Sequence, residues 1–235
     1  MSPTSVGNNR TAERTRRGAQ ARRPARGHFH IMLRVGLTGS IAVGKSYVSG
    51  VLKDLGCRVM DADVVARRVV EPGAEGLRRS VEAFGEWVLR PDGTLDRAGV
   101  GAVIFKDPSK RELVNSLLHP LIIAEQDETL RRWEREDPRA IGIVDAALMI
   151  ESGGHARFDK LIVVHCRPEV QLERLMRRNN LSREEAAARI AAQMPQEEKL
   201  RHADFKVDTS DGFEETRRQT VEVYAQLRKL AEARR

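Results

Sequence analysis

The segment Gly39-Ser40-Ile41-Ala42-Val43-Gly44-Lys45-Ser46 leaves a chain few folds to choose from. It follows a short apolar run at 32–37 and precedes a stretch in which Val48, Val51, Leu52 and Leu55 recur at helical spacing. Strand, glycine-containing loop, helix is the context in which G-x-x-x-x-G-K-[ST] forms a phosphate cradle. The glycines let successive backbone N–H groups turn inward, and the helix beginning near Lys45 adds the positive end of its dipole. In such a loop Lys45 reaches the β- and γ-phosphates of a nucleotide, and the Ser46 hydroxyl ligates Mg²⁺. The expected nucleotide-binding residues are Gly39, Ala42, Val43, Gly44, Lys45, Ser46 and the adjoining Tyr47. A tyrosine fits at 47 only if its ring leaves the cradle.

The remaining pattern predicts what surrounds the loop. Further short apolar runs at 57–60, 140–144, 160–166 and 205–207 read as strands, with helical periodicity between them. Gly56 closes the first helix, Pro72-Gly73 breaks the second, and Pro168 opens a later one. Ser182 with Glu185 forms a capping box before a helix to about 193, and 213–233 reads as a terminal helix. Alternating strands and helices predict an α/β fold, a three-layer α/β/α arrangement around a parallel sheet. The helical block at about 74–136 is too long for one crossover and is expected to form an inserted lobe.

Charge divides the chain. Residues 1–31 hold seven arginines against one acid, Glu13, and so carry six of the seven net positive charges. This basic tail lacks apolar periodicity and is expected to be disordered. Two alternatives stand beside that reading: a start codon placed too early, with Met32 as the true start, or an Arg-rich targeting peptide. The domain at 32–235 has little excess charge, so no specific nucleic-acid partner is expected. No run of about 18 apolar residues marks a membrane span. Cys57 and Cys166, far apart in apolar surroundings, read as core thiols of a reduced, cytoplasmic protein.

Two acidic positions complete the reading from residues alone. Asp61-Ala62-Asp63 ends the second strand, at the edge where open α/β sheets bind ligands. A carboxylate there serves an attacking hydroxyl or caps the next helix, and the pair allows one of each. Asp145 ends the third strand and reads either as a Mg²⁺-holding carboxylate or as an ordinary loop aspartate.

The segments DADVVARRVVEPG at 61–73, LLHPLI at 117–122 and AQMPQEEKLRHAD at 192–204, with the loop before them, resemble dephospho-coenzyme A kinases over 32–230. The resemblance implies transfer of the ATP γ-phosphoryl to the 3′-hydroxyl of dephospho-CoA, with ATP and Mg²⁺ as cofactors. It implies a nucleotide-binding core, a CoA-binding lobe at about 74–136 and a helical lid at about 175–200. By position, Asp63 engages the acceptor hydroxyl, His119 lies near the CoA lobe, and Arg178 is a lid arginine facing the moving phosphoryl group. As alternatives, His119 is structural and Arg178 a solvated surface charge. Lys45, Asp63 and Arg178 are thus the expected catalytic residues, Asp63 and His119 the substrate contacts, Ser46 and Asp145 the metal ligands. The chain departs from the family pattern at Ser40, Ala42, Tyr47, Ala147 and the VDTSDG segment. A kinase for another small hydroxyl acceptor, such as a nucleoside, and a non-enzymatic P-loop protein using its basic tail are the competing readings.

Overall fold

In the computed structural model, which describes residues 31–234, apolar strands form the centre. They are β1 (Leu33–Gly39), β2 (Arg58–Asp61), β3 (Ile141–Asp145), β4 (Lys160–His165) and β5 (Phe205–Asp208). They align in the order β2-β3-β1-β4-β5 with every neighbouring pair parallel. Parallel strands covered on both faces need apolar side chains at successive positions, and β1 and β3 are buried throughout.

Helices connect the strands: α1 (Lys45–Asp54), α2 (Ala62–Arg68), α3 (Glu75–Phe84), α4 (Arg97–Lys106) and α5 (Pro108–Glu136) precede or span the gap to β3. After β4 come α6 (Pro168–Asn179), α7 (Arg183–Ala191) and α8 (Gln196–Leu200), and α9 (Gly212–Glu232) ends the fold. The strand period of two sends alternate residues to opposite layers. Leu33, Val35, Leu37, Ile143, Ile162 and Val164 pack with Val48 and Leu52 of α1 and Val223 and Leu227 of α9. Val144, Leu161 and Val163 pack on the other face with Val65 of α2 and Leu130 of α5. Burying each such aliphatic side chain is worth ~1.5–3 kcal/mol. The three-layer expectation is met.

Gly36 shows how tightly the second layer sits, because a Cβ there would lie 2.5 Å from Met149 Sδ. α5 is a single helix of 29 residues, started by Pro108 and capped by the Asp107 carboxylate on the Ser109 and Lys110 N–H groups. It passes through Pro120 without ending. Helices α2, α3 and α4 pack on it, while Gln126 and Leu130 in its later half are buried against the sheet side. Of the basic tail expected at 1–31, residues 1–30 lie outside the described residues. No helix among the described residues is long and apolar enough to cross a membrane.

Candidate nucleotide-binding site

The loop expected to cradle phosphate leaves the sheet at its centre, because β1 lies between β3 and β4. That is where the strand order reverses and where open α/β sheets offer a crevice. Gly39 is the last residue of β1, and a Cβ there would meet the Val164 carbonyl at 2.6 Å. Two left-handed residues then turn the chain, Ala42 at φ 62° and Gly44 at φ 86°. Gly44 takes that conformation without penalty, whereas Ala42 costs about 1–2 kcal/mol. The departure at 42 therefore leaves the loop shape intact at a local energetic cost. Lys45 opens α1 immediately afterwards.

Side chains that sequence reasoning missed hold this loop. The Ile41 N–H donates to Gln193 Oε1 at 2.8 Å, and the Ile41 carbonyl accepts from Gln171 Nε2 at 2.8 Å. Gln171 is itself held by Gln196 Nε2 at 2.9 Å, and Gln196 accepts from the Cys166 N–H at 3.0 Å. Both backbone polar groups of one loop residue are thus gripped from α6 and from the α7–α8 connection. On the other side Thr209 Oγ1 donates to the Val43 carbonyl at 2.6 Å, and Arg174 donates to both the hydroxyl and the carbonyl of Thr209, at 2.8 and 2.7 Å. Gly44 packs against Thr209, 3.3 Å from a would-be Cβ. Arg174 could have been found by its spacing of four from Arg178 on one helix face. For the glutamines no periodicity pointed to the loop, since their partners are about 130 and 150 residues away in sequence.

The charged groups lie at the carboxyl ends of the strands. Lys45 Nζ forms an ion pair with Asp145 Oδ1. Asp145 is almost fully buried, and that burial raises its carboxyl above the usual range, against the pull of Lys45; nearby Asp61 adds to the rise. Asp61 sits opposite Asp145 in the β2–β3 register. It caps α2 by accepting the Asp63 N–H at 2.7 Å, which leaves the exposed Asp63 carboxylate on the first turn of that helix. Of the two aspartates, Asp61 is the capping one.

A cleft of about 840 Å³ opens over the loop, lined by residues 40–47, by Arg174, Arg177 and Arg178 of α6, and by Gln193, Thr209 and Phe213. Its size is that of a small-molecule site. Arg178 is exposed and donates to the Asn179 side chain at 2.8 Å. Asp63 and His119 do not line this cleft; His119 is exposed midway along α5. The Tyr47 ring, at the edge of the cleft, packs on Phe213. Ala147, at a departure position, has its carbonyl fixed by Thr38 Oγ1 at 3.1 Å and by the buried Lys199 Nζ at 2.9 Å.

The dephospho-CoA kinase family profile matches residues 33–215. A dephospho-CoA kinase of Listeria monocytogenes serotype 4b is 45% identical over 189 residues, covering 80% of this chain and 93% of that protein. Among solved structures, one from Thermus thermophilus superposes with a TM-score of 0.71 at 30% identity, over 83% of this chain and 98% of that one. A dephospho-CoA kinase from Campylobacter jejuni gives a TM-score of 0.57 at 27% identity, over 83% and 97% of the two chains. Matching across the whole described sheet, and not only at the phosphate loop, these similarities establish that the chain belongs to the dephospho-CoA kinase family.

Proposed function

We propose that this cleft binds ATP and that the protein transfers its γ-phosphoryl group to the 3′-hydroxyl of dephospho-CoA, the last step in making coenzyme A. The observation that carries the reading is the preset loop at 39–46 facing three arginines of α6 across one cleft, in a chain of this family. Phosphoryl transfer asks a protein mainly for positioning and charge neutralisation. The loop N–H groups and Lys45 take the β- and γ-phosphates, and Arg178, from the helix across the cleft, neutralises charge on the phosphoryl group in flight.

Mg²⁺ fits the residues present. Mg²⁺ is typically held by one or two carboxylates plus substrate phosphates, not by an all-protein cage. The described residues hold no cluster of three or more His, Cys, Asp or Glu suited to a metal. They do place the Ser46 hydroxyl in the cleft and Asp145 beside Lys45. Ser46 and Asp145 would hold the ion, which when bound supplies positive charge to the phosphate oxygens. Lys45, paired with Asp145 here, exchanges that carboxylate for phosphate oxygens when nucleotide enters.

The acceptor enters from the side of α2 and α5. Asp63 orients the 3′-hydroxyl and takes its proton as the oxygen attacks. His119 and the helices at 74–136 provide the CoA-binding lobe, and the segment at 175–200 closes as a lid carrying Arg178. Outside a membrane and without nucleic acid, the two substrates are the only partners the reading requires. An ATP-dependent assay on dephospho-CoA, with the new phosphate located by phosphorus NMR, tests it. The expected product carries a 3′-phosphate; transfer only to another acceptor in a parallel panel of nucleosides and sugars overturns it.

A further inference from the structure

The cleft is larger than a phosphate cradle needs, and part of its wall is aromatic. Phe213, in the first turn of α9, is 71% exposed, more than any other large apolar side chain among the described residues. It lines the same cleft as the loop at 40–47. Its ring centroid lies 4.8 Å from that of Tyr47, with the planes tilted by 51°. The Tyr47 hydroxyl donates to the Phe213 carbonyl at 3.1 Å, so the first turn of α1 braces the first turn of α9. Nearby side-chain hydroxyls are also committed internally: Thr216 Oγ1 donates to the Gly212 carbonyl at 2.7 Å and Thr209 Oγ1 to the Val43 carbonyl at 2.6 Å. What Phe213 offers the cleft is an exposed aromatic ring.

Resting on the reading of the cleft as the donor site, we propose that Phe213, braced by Tyr47, is the platform on which the purine base of the donor nucleotide stacks, and so a determinant of donor choice. A nucleoside triphosphate has a charged end and a flat, polarisable end, and this one cleft is lined both by an anion cradle and by an exposed ring. Stacking recognises the face of a base and tolerates different edges, so it favours any purine nucleotide over inorganic triphosphate. Tyr47, which departs from the family pattern, then has a role: its ring and hydroxyl fix the platform rather than touch phosphate.

The test is calorimetric titration of ATP and of inorganic tripolyphosphate into the full chain and its Phe213→Ala, Phe213→Trp and Tyr47→Phe variants, alongside the dephospho-CoA assay. The wild type is expected to prefer ATP to tripolyphosphate. Phe213→Ala should shrink that preference about tenfold or more, leave tripolyphosphate binding within about twofold, and raise the KM for ATP in step. Phe213→Trp should keep the preference, and Tyr47→Phe, which keeps the ring but loses the hydroxyl bond, should reduce it only a few fold. An ATP-to-tripolyphosphate ratio in Phe213→Ala equal to that of the wild type overturns the proposal. If the wild type phosphorylates dephospho-CoA while that ratio is unmoved, only the platform fails; if it does not phosphorylate dephospho-CoA at all, the reading of the cleft fails first.

Discussion

The two sides of the sheet's carboxyl edge are built differently. On the β1–β4–β5 side the loop is fixed by buried or half-buried bonds: two glutamines on the Ile41 N–H and carbonyl, and Thr209, itself held by Arg174, on the Val43 carbonyl. On the β2–β3 side the proposed acceptor residues Asp63 and His119 are exposed on helices α2 and α5. The helices around them are laced at the surface by pairs such as Arg78–Glu75, 2.7 Å, and Arg68–Glu125, 3.6 Å. Exposed pairs of this kind are worth ~0–1 kcal/mol each, whereas a polar group left unpaired in the interior costs ~1–3 kcal/mol. On the proposed reading, interior hydrogen bonds preset the phosphate loop of the donor half, whereas the acceptor half is tied mainly by exposed pairs that oppose local adjustment only weakly.

Mutations can break that comparison, beginning with the most damaging. Lys45→Ala should lower the rate of dephospho-CoA phosphorylation by about a hundredfold to a thousandfold, the scale for removing one group that stabilises transition-state charge. It also leaves the buried Asp145 carboxylate without its cation, so thermal unfolding should shift downward. A variant with near-normal turnover would mean the donor half is not the phosphate site.

Asp63→Asn tests the acceptor half. The expected loss is about a hundredfold in kcat with little change in the KM for ATP, since the side chain stands outside the donor cleft. Asp61→Asn should cost far less, because asparagine caps a helix about as well as aspartate. Steady-state kinetics of the two variants side by side would expose a wrong assignment if their ranking were reversed.

Gln193→Ala removes the acceptor from the Ile41 N–H. One lost hydrogen bond of ~1 kcal/mol predicts a KM for ATP about fivefold higher and a smaller effect on dephospho-CoA. Gln193→Glu keeps an acceptor oxygen but adds a negative charge beside the proposed phosphate site, so it should raise the KM for ATP at least as much. Equal effects on both substrates would erase the distinction between a preset half and an adaptable one.

The smallest effect concerns Ser40, buried in the loop with a hydroxyl that has no hydrogen-bond partner among the described residues. Ser40→Ala removes that orphan and should raise the melting temperature by about 2–4 °C, the shift that ~1 kcal/mol gives a chain of this size. A lower melting temperature would show that the hydroxyl supports the loop.

Elements with local causes were legible in the residues alone. The phosphate loop was legible because its glycines, lysine and serine must be adjacent, and because an apolar run and a helical period flank it. The three layers followed from repeated strand and helix patterns, and the capping box at Ser182 and Glu185 formed as the spacing required. Tertiary structure alone decided what holds the loop and what faces it. The Gln193–Ile41 and Thr209–Val43 bonds join residues more than 150 positions apart. They exist only because the parallel sheet sets β1 beside β4, and β4 beside β5, so that the segments following them converge at one edge. Phe213 meets Tyr47 for the same reason, since α1 and α9 pack side by side on one face. A glutamine or threonine carries no periodic signal of its own; its role depends on which distant backbone group the fold delivers to it.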